Sequence, residues 1–150
     1  KAGGITTLEE KSLGCIHKGG HRPIVEVFDY AQSPTKKGLV IMDTPGYDIA
    51  SVTGVAAGGA QVMVFTTGRG SATGNPIMPV IKITANKQTY DKMEDNMDFD
   101  ASPVIRGEKS VEQMGEELLN CVVEVANGTQ PKAEFWGMSD IAISRICNYV

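Results

Sequence analysis

The sequence is poor in the residues that build disulfide frameworks, zinc sites and membrane spans. Its three cysteines, Cys15, Cys121 and Cys147, are widely spaced and form no C-x-x-C pair, which excludes a zinc ribbon and a dithiol redox motif. No apolar run approaches the roughly 20 residues of a membrane span, and no charged start followed by an apolar stretch indicates secretion. We therefore expect a reduced protein of the cytoplasm that has no membrane partner.

The charge balance argues against nucleic acid as a partner. The chain has 14 basic and 18 acidic side chains, for a formal charge of -4, and its lysines are scattered. A nucleic acid or an anionic membrane would require a basic face, so we expect a small-molecule ligand. A chain of 150 residues buries about 70% of its unfolded surface, which is enough for one core without disulfides. With no repeat or linker, residues 1–150 are predicted to form one domain, and the start at Lys1 suggests a piece of a longer polypeptide.

Apolar periodicity and turn residues predict alternating helices and strands. Thr7 and Glu10 have the spacing of a capping box, which predicts a helix to about Lys18. The continuous apolar run 38–42 is typical of a buried parallel strand. Residues 22–30 fit a strand or a short helix, and a helix with Asp48 as its N-cap closes at Gly58. Strands are predicted over 61–67 and 80–84, a helix over 86–93 and a briefly extended stretch over 97–102. A second capping box, of Ser110 and Gln113, begins a helix that runs to Gly128, and a short strand is predicted over 141–146.

This order is typical of an α/β fold, a layered Rossmann-like domain with a mostly parallel sheet and helices on both faces. Ligands of such sheets bind beyond the carboxyl ends of the strands. Two predicted strand ends carry polar residues, Asp43 and the segment Thr66-Thr67-Gly68. Asp43 either binds a ligand or closes an Asx-turn through Pro45-Gly46.

The strongest candidate site is the glycine-rich segment 65–74, which follows a predicted strand directly. Its glycines allow backbone amides to approach a ligand, and Arg69 has the fork geometry that binds carboxylates. The segment contains G-x-G-x-x-x-G, but Asn75-Pro76 follows, so no helix N-terminus faces a dinucleotide phosphate. An anion site and a purely structural loop remain as alternatives.

Two further clusters suggest metals, and both fail on spacing. Five carboxylates lie within residues 91–100, yet an EF-hand beginning at Asp98 would have Pro103 in place of its glycine. We interpret most of them as a solvated acidic face. Cys15, His17 and His21 have no fourth ligand at zinc spacing. Because the chain has only two histidines, a Ser-His-Asp hydrolase is also disfavoured.

Six segments, in order along the chain, resemble one family of enzymes. They read GGITTLEEKSLG (3–14), KGG (18–20), MDTPG (42–46), FTTGRG (65–70), PVIKI (79–83) and DNMD (95–98). The resemblance is to the C-terminal domain of the altronate and D-galactarate dehydratases, and FTTGRG and DNMD are closer to the altronate branch. It implies an iron(II)-dependent lyase of hexuronate catabolism, with manganese(II) as an alternative, that converts D-altronate to 2-dehydro-3-deoxy-D-gluconate and water.

The resemblance also implies roles for particular residues. The implied substrate-binding residues are Thr66, Thr67, Gly68, Arg69, Lys82 and Asn96, the implied catalytic residues are Asp43, Glu10 and Lys11, and the implied metal ligand is Asp98. Asp43, Glu10 and Asp98 are all candidates for the base or a metal ligand. The family enzymes are longer, so N-terminal domains of the same enzyme are expected partners, a homo-oligomer is allowed, and the fragment alone is expected to be inactive. A scaffold domain whose glycine loops pack on the missing domains is the alternative.

Overall fold

The computed structural model describes residues 7–143, except for the side chains of residues 8 and 10–12. These residues form six helices and five strands. The helices are α1 (Leu8–Lys18), α2 (Asp48–Ala57), α3 (Lys87–Lys92), α4 (Ser102–Ile105), α5 (Val111–Ala126) and α6 (Lys132–Phe135). The strands are β1 (Ile24–Phe28), β2 (Leu39–Met42), β3 (Met63–Thr66), β4 (Val80–Thr84) and β5 (Phe99–Asp100). None of the helices in this described part is long and apolar enough to cross a bilayer.

The strands form two small parallel sheets. The first sheet pairs β1 with β2, and the second sheet has the order β3-β4-β5. Parallel pairing and the α/β class are therefore confirmed, and the ambiguous stretch 22–30 contains a strand. The strands are divided between two sheets, which the local pattern of apolar residues does not reveal.

Strand β4 is the centre of the second sheet and is buried along its whole length. Successive side chains of a strand point to opposite faces. Val80 packs on one face against Val52 and Ala56 of α2. Ile81 and Ile83 face the other way, and their cluster includes Leu118, Val122 and Val125 of α5. The second sheet thus has a helix on each face, as predicted.

Helix α2 also packs on the first sheet, through its glycines. A Cβ on Gly54 would lie 2.2 Å from Cε2 of Tyr30, and a Cβ on Gly58 would lie 2.5 Å from the methyl carbon of Met42. The Tyr30 hydroxyl donates to the carbonyl of Ala50, at 2.7 Å. The absence of side chains at these two positions lets the helix approach the first sheet closely.

Three local predictions need correction. Asp48 is the first helical residue of α2 and not its N-cap, which is Tyr47, and a carboxylate in the first turn favours the helix through its dipole. Strand β2 is parallel as predicted but not buried, since Leu39 and Ile41 are exposed. Residues 141–143 form no strand, and the rest of the predicted strand, with Cys147, lies outside the described residues.

The capping box at α5 is confirmed. The Ser110 hydroxyl accepts from the amide of Gln113, at 3.2 Å, and the Gln113 side chain accepts from the amide of Ser110, at 3.0 Å. In the apolar stripe of this helix, Met114 and Val125 are buried. Val111, at the start of the helix, is exposed.

Candidate functional site

The segment after β3 is a short turn held by its own hydroxyl and amide groups. Thr66 ends the strand, and the amide of Thr67 still donates to the carbonyl of Ile83, at 2.9 Å. The Thr67 hydroxyl then accepts from the amide of Gly70, at 3.1 Å. Gly70 has a φ of 83°, which favours glycine because a Cβ is strained there. The turn therefore has a defined shape at the carboxyl end of a sheet strand.

Helix α3 supports this turn from one side. The Thr89 hydroxyl donates to the carbonyl of Gly68, at 2.8 Å. A Cβ on Gly70 would lie 2.3 Å from the sulfur of Met93, so this glycine is in close contact with α3. Sequence analysis missed Thr89 and Met93, because they lie about twenty residues beyond the turn and no local pattern links them to it.

Arg69 is the exposed residue at the tip of this turn. Among the groups that the structure describes, no carboxylate or carbonyl pairs with its guanidinium. Thr66, three residues earlier in the chain, is exposed, and Thr67 is half-buried. A cation with two parallel N–H donors and nearby hydroxyl groups is suited to a carboxylate that carries hydroxyls.

Two of the predicted site residues, Lys82 and Asp98, contact each other and not the turn. The ammonium group of Lys82 lies 2.9 Å from Oδ2 of Asp98, and Lys82 is fully buried. Oδ2 also accepts from the amide of Lys82, at 2.7 Å, and Oδ1 accepts from the amide of Lys132, at 2.7 Å. Both carboxylate oxygens are thus engaged within the protein. The pair therefore has a structural role in the domain, and substrate binding by Lys82 and metal binding by Asp98 stay predictions.

Asn96 lies in the turn after α3, half-buried, and its amide donates to the carbonyl of Met93, at 2.8 Å. This turn is fastened to the region of α6. The Trp136 indole donates to the carbonyl of Asp95, at 2.9 Å, and the Lys132 side chain donates to the carbonyl of Glu94. Asn96 therefore shares a firmly held segment with Met93, which supports the Arg69 turn.

The acidic stretch 91–100 is mostly a solvated face, as predicted. Asp91, Glu94 and Asp95 are exposed, and Asp91 pairs with Lys87. Burial, with the negative charges of Glu94 and Asp100, raises the pKa of Tyr90 on α3.

Asp43 directly follows β2 of the first sheet, whereas the Arg69 turn follows β3 of the second sheet. The side chain of Asp43 is exposed, and its amide donates to the carbonyl of Phe28, at 2.9 Å. In the described part of the chain, its carboxylate accepts no hydrogen bond, so the alternative of an Asx-turn is not observed. The backbones of Glu10 and Lys11 lie in α1, and their side chains fall outside the described residues.

The described residues contain no group of three or more His, Cys, Asp or Glu that can hold a metal ion. Cys15, His17 and His21 are exposed, with no such group around them. A cleft of about 340 Å³ lies at the opposite end of β4, lined by Pro79 and residues of the 134–139 segment. Its only charged side chain is that of Glu134, so it does not suit an anionic ligand.

Comparison with known proteins agrees with the resemblance seen in the six segments. The family model described as D-galactarate/Altronate dehydratase, C-terminal, matches residues 1–148. The chain is 41% identical over 145 residues to the (2R)-sulfolactate sulfo-lyase subunit beta of Chromohalobacter salexigens, covering 96% of the chain and 37% of that protein. It is 39% identical to the altronate dehydratase of Escherichia coli, covering 95% of the chain and 28% of that enzyme. It is 38% identical to the galactarate dehydratase (L-threo-forming) of the same organism, covering 92% of the chain and 27% of that enzyme.

The chain therefore spans between 27% and 37% of the length of these three relatives. The family match, by contrast, covers nearly all of it. This chain belongs to the family of D-galactarate/altronate dehydratase C-terminal domains.

Proposed function

We propose that this chain is a substrate-binding domain of a sugar-acid dehydratase, and that its substrate is D-altronate, which the whole enzyme converts to 2-dehydro-3-deoxy-D-gluconate and water. The observation that carries the proposal is the exposed guanidinium of Arg69, on a turn held by Thr67 and Thr89 at the carboxyl end of β3. The family membership supplies the reaction class.

The reaction requires a cation at the carboxylate of the substrate. A base removes the proton on C2, and the two carboxylate oxygens gain negative charge as an enediolate forms. The bond between C3 and its hydroxyl oxygen then breaks, a general acid supplies the proton that makes the leaving group water, and the resulting enol becomes the 2-keto product. In this proposal Arg69 binds the carboxylate and stabilises the enediolate, because its charge-assisted hydrogen bonds strengthen as negative charge develops.

Other residues have smaller parts in the proposal. The Thr67 hydroxyl accepts one hydrogen bond from Gly70 and keeps its own proton for a sugar hydroxyl, and Thr66 is exposed beside it. The exposed carboxylate of Asp43 remains our proposed base. Roles for Gly68, Asn96, Glu10 and Lys11 remain predictions from the family resemblance.

Iron(II), or manganese(II), remains a prediction for the whole enzyme. The described residues do not fit its site, because both oxygens of Asp98 are engaged and these residues hold no cluster of ligands. We therefore assign no step of the reaction to a metal held by the described side chains.

A second candidate substrate is a sulfonated 2-hydroxy acid. The relative at 41% identity is named as a sulfo-lyase of (2R)-sulfolactate, and a guanidinium binds a sulfonate as well as a carboxylate. Galactarate is a third candidate, from the relative at 38% identity. All three acids place a carboxylate next to a hydroxyl-bearing carbon, so the predicted role of Arg69 is the same.

The test uses the full-length enzyme with D-altronate, D-galactarate and (2R)-sulfolactate as separate substrates. We expect the highest kcat/KM for D-altronate, and a decrease of about 30-fold or more in Arg69→Ala, which corresponds to about 2 kcal/mol. Lys92→Ala is the matched control, since it removes an exposed positive charge from nearby α3, and we expect it to change kcat/KM less than twofold.

Each other outcome has a defined meaning. An Arg69→Ala enzyme with unchanged kcat/KM would contradict the substrate-binding role and favour a scaffold domain. Preference for sulfolactate or galactarate would replace the substrate while keeping the role of Arg69. Turnover by the 150-residue chain alone would contradict our expectation that the other domains are required.

A further inference from the structure

The first sheet has one face made of aliphatic side chains that no described residue covers. Val27 pairs with Ile41 across β1 and β2, and Ile24 pairs with Leu39, so the members of each pair share a face. Leu39 and Ile41 are two residues apart on β2, which places all four on the same face, with an irregularity at Val25 between Ile24 and Glu26. We name these four residues the aliphatic face. Val27 is 69% exposed and Ile41 is 44% exposed, and the other two are also exposed.

The opposite face of the first sheet packs against the rest of the domain. Met42 reaches Gly58 of α2, and the residues of that face are half-buried. One face is therefore packed on the domain itself, while the aliphatic face contains no charged residue and is bare. A contiguous apolar patch of this kind marks an interaction site, and a two-stranded sheet with one uncovered face is only marginally stable.

Helix α1, which precedes the first sheet in the chain, also has exposed aliphatic residues. Leu13 and Ile16 lie one turn apart on one side of the helix, and both are exposed. Large exposed aliphatic residues thus recur through α1, β1 and β2, the first three elements of the domain.

The relatives indicate what covers this surface. The family model describes a C-terminal domain, and the chain spans between 27% and 37% of the three relatives. A C-terminal domain is preceded by other parts of its polypeptide, and α1, β1 and β2 are the described elements nearest in sequence to that preceding part. We propose that the aliphatic face docks against the preceding part of the same dehydratase polypeptide.

Two glycines of the segment 65–74 are already in close contact with the domain itself. A Cβ on Gly74 would lie 2.2 Å from the carbonyl oxygen of Met138, and Gly70 is in close contact with Met93. The space beside these glycines is filled by the domain itself. Gly70 and Gly74 are therefore not available to an interface, whereas the space beside Gly68 is open.

The test measures chemical access to the aliphatic face in the full-length enzyme. Val27→Cys and Ile105→Cys each place a thiol at an exposed aliphatic position, and Ile105, on α4, is 75% exposed. Maleimide labelling is followed at each peptide by mass spectrometry, so native cysteines do not interfere. We expect the Val27→Cys thiol to react at least tenfold more slowly than the Ile105→Cys thiol in the native enzyme, and at the same rate in denaturant.

Equal labelling rates in the native enzyme would overturn the proposal. Protection of Val27→Cys that disappears on dilution would also overturn it, because a second copy would then be the cover. Ile41→Cys provides a second variant on the same face, in case Val27→Cys fails to fold. Labelling needs no substrate, so the result is independent of whether the enzyme acts on altronate.

Discussion

The ammonium group of Lys82 and the carboxylate of Asp98 form an ion pair at 2.9 Å, with Lys82 fully buried and the Asp98 side chain 8% exposed. Lys82 also donates to the carbonyl of Val80, at 3.3 Å, while Asp98 accepts from two backbone amides. Each charge is therefore compensated within the protein. Such a pair contributes little net stability when intact, but the loss of one partner leaves an uncompensated buried charge.

We predict that Asp98→Asn lowers the free energy of unfolding by about 3–5 kcal/mol, because it leaves the Lys82 charge buried without a counter-ion. Lys82→Met is expected to cost less, since Asp98 keeps its two backbone donors. The double variant is expected to cost less than the sum of the two single variants. Urea unfolding of all four proteins measures this coupling, and additive costs would contradict it.

Two glycine substitutions are predicted to have opposite signs. Gly74→Ala would place its Cβ 2.2 Å from the backbone oxygen of Met138, so the backbone must shift, and we expect a loss of about 2 kcal/mol or more. Gly115→Ala, within α5, meets nothing within 4 Å and is expected to stabilise by about 0.5–1 kcal/mol. Thermal unfolding monitored by circular dichroism distinguishes the two, and similar melting temperatures would argue against the close contact at Gly74.

The carboxylate of Glu26 holds the connection between β1 and β2. It accepts from the hydroxyl of Thr35, at 2.7 Å, and from the amides of Thr35 and Lys36, at 2.9 and 3.0 Å. The hydrogen bond from the Thr35 side chain and then the one from the Lys36 amide hold the pKa of Glu26 below its ordinary value. A carboxyl with a lowered folded pKa stabilises the fold above its unfolded pKa, and this contribution is lost as pH falls through the folded pKa.

We therefore predict that Thr35→Val raises the pKa of Glu26 toward the ordinary value and reduces the decrease in stability on acidification below about pH 4.5. An NMR titration of the Glu26 side-chain carboxyl carbon measures the pKa directly. Ser33→Ala is a suitable control in the same connection. An unchanged pKa in Thr35→Val would show that the backbone amides alone are responsible.

The capping box of α5 is expected to contribute moderately to the free energy of unfolding. Ser110→Ala removes the acceptor for the Gln113 amide and is expected to cost about 1 kcal/mol. Ser110→Asp keeps an acceptor at the N-cap and is expected to recover most of the loss. Chemical denaturation of the three proteins provides the comparison, and a Ser110→Ala protein as stable as the parent would contradict it.

Local signals in the sequence predicted the elements well where both the pattern and its cause are local. Strand β4 has the predicted bounds, and the capping box of Ser110 and Gln113 is confirmed. The Arg69 turn was identified from its glycines and hydroxyls. Its support by Thr89 was not, because the contact joins residues far apart in sequence.

Two outcomes depend on contacts that the local sequence does not show. The ion pair of Lys82 with Asp98 was not foreseen, because a lysine in a strand gives no indication of a carboxylate partner sixteen residues later, and substrate binding by Lys82 stays a prediction. Residues 38–42 were expected to be buried, because apolar runs usually are, yet the aliphatic face is exposed in the described chain. The proposed docking would bury this run in the full-length enzyme, which is the burial that its apolar pattern predicts.

Helix α2 packs against both sheets. Gly54 and Gly58 meet Tyr30 and Met42 on the side of the first sheet, while the other face of the helix packs on β4. Unfolding of α2 would therefore remove packing contacts from both sheets at the same time. The first sheet is thus tied into the stability of the second, and we expect the two to unfold together in a single cooperative transition, even though no strand hydrogen bonds cross between them.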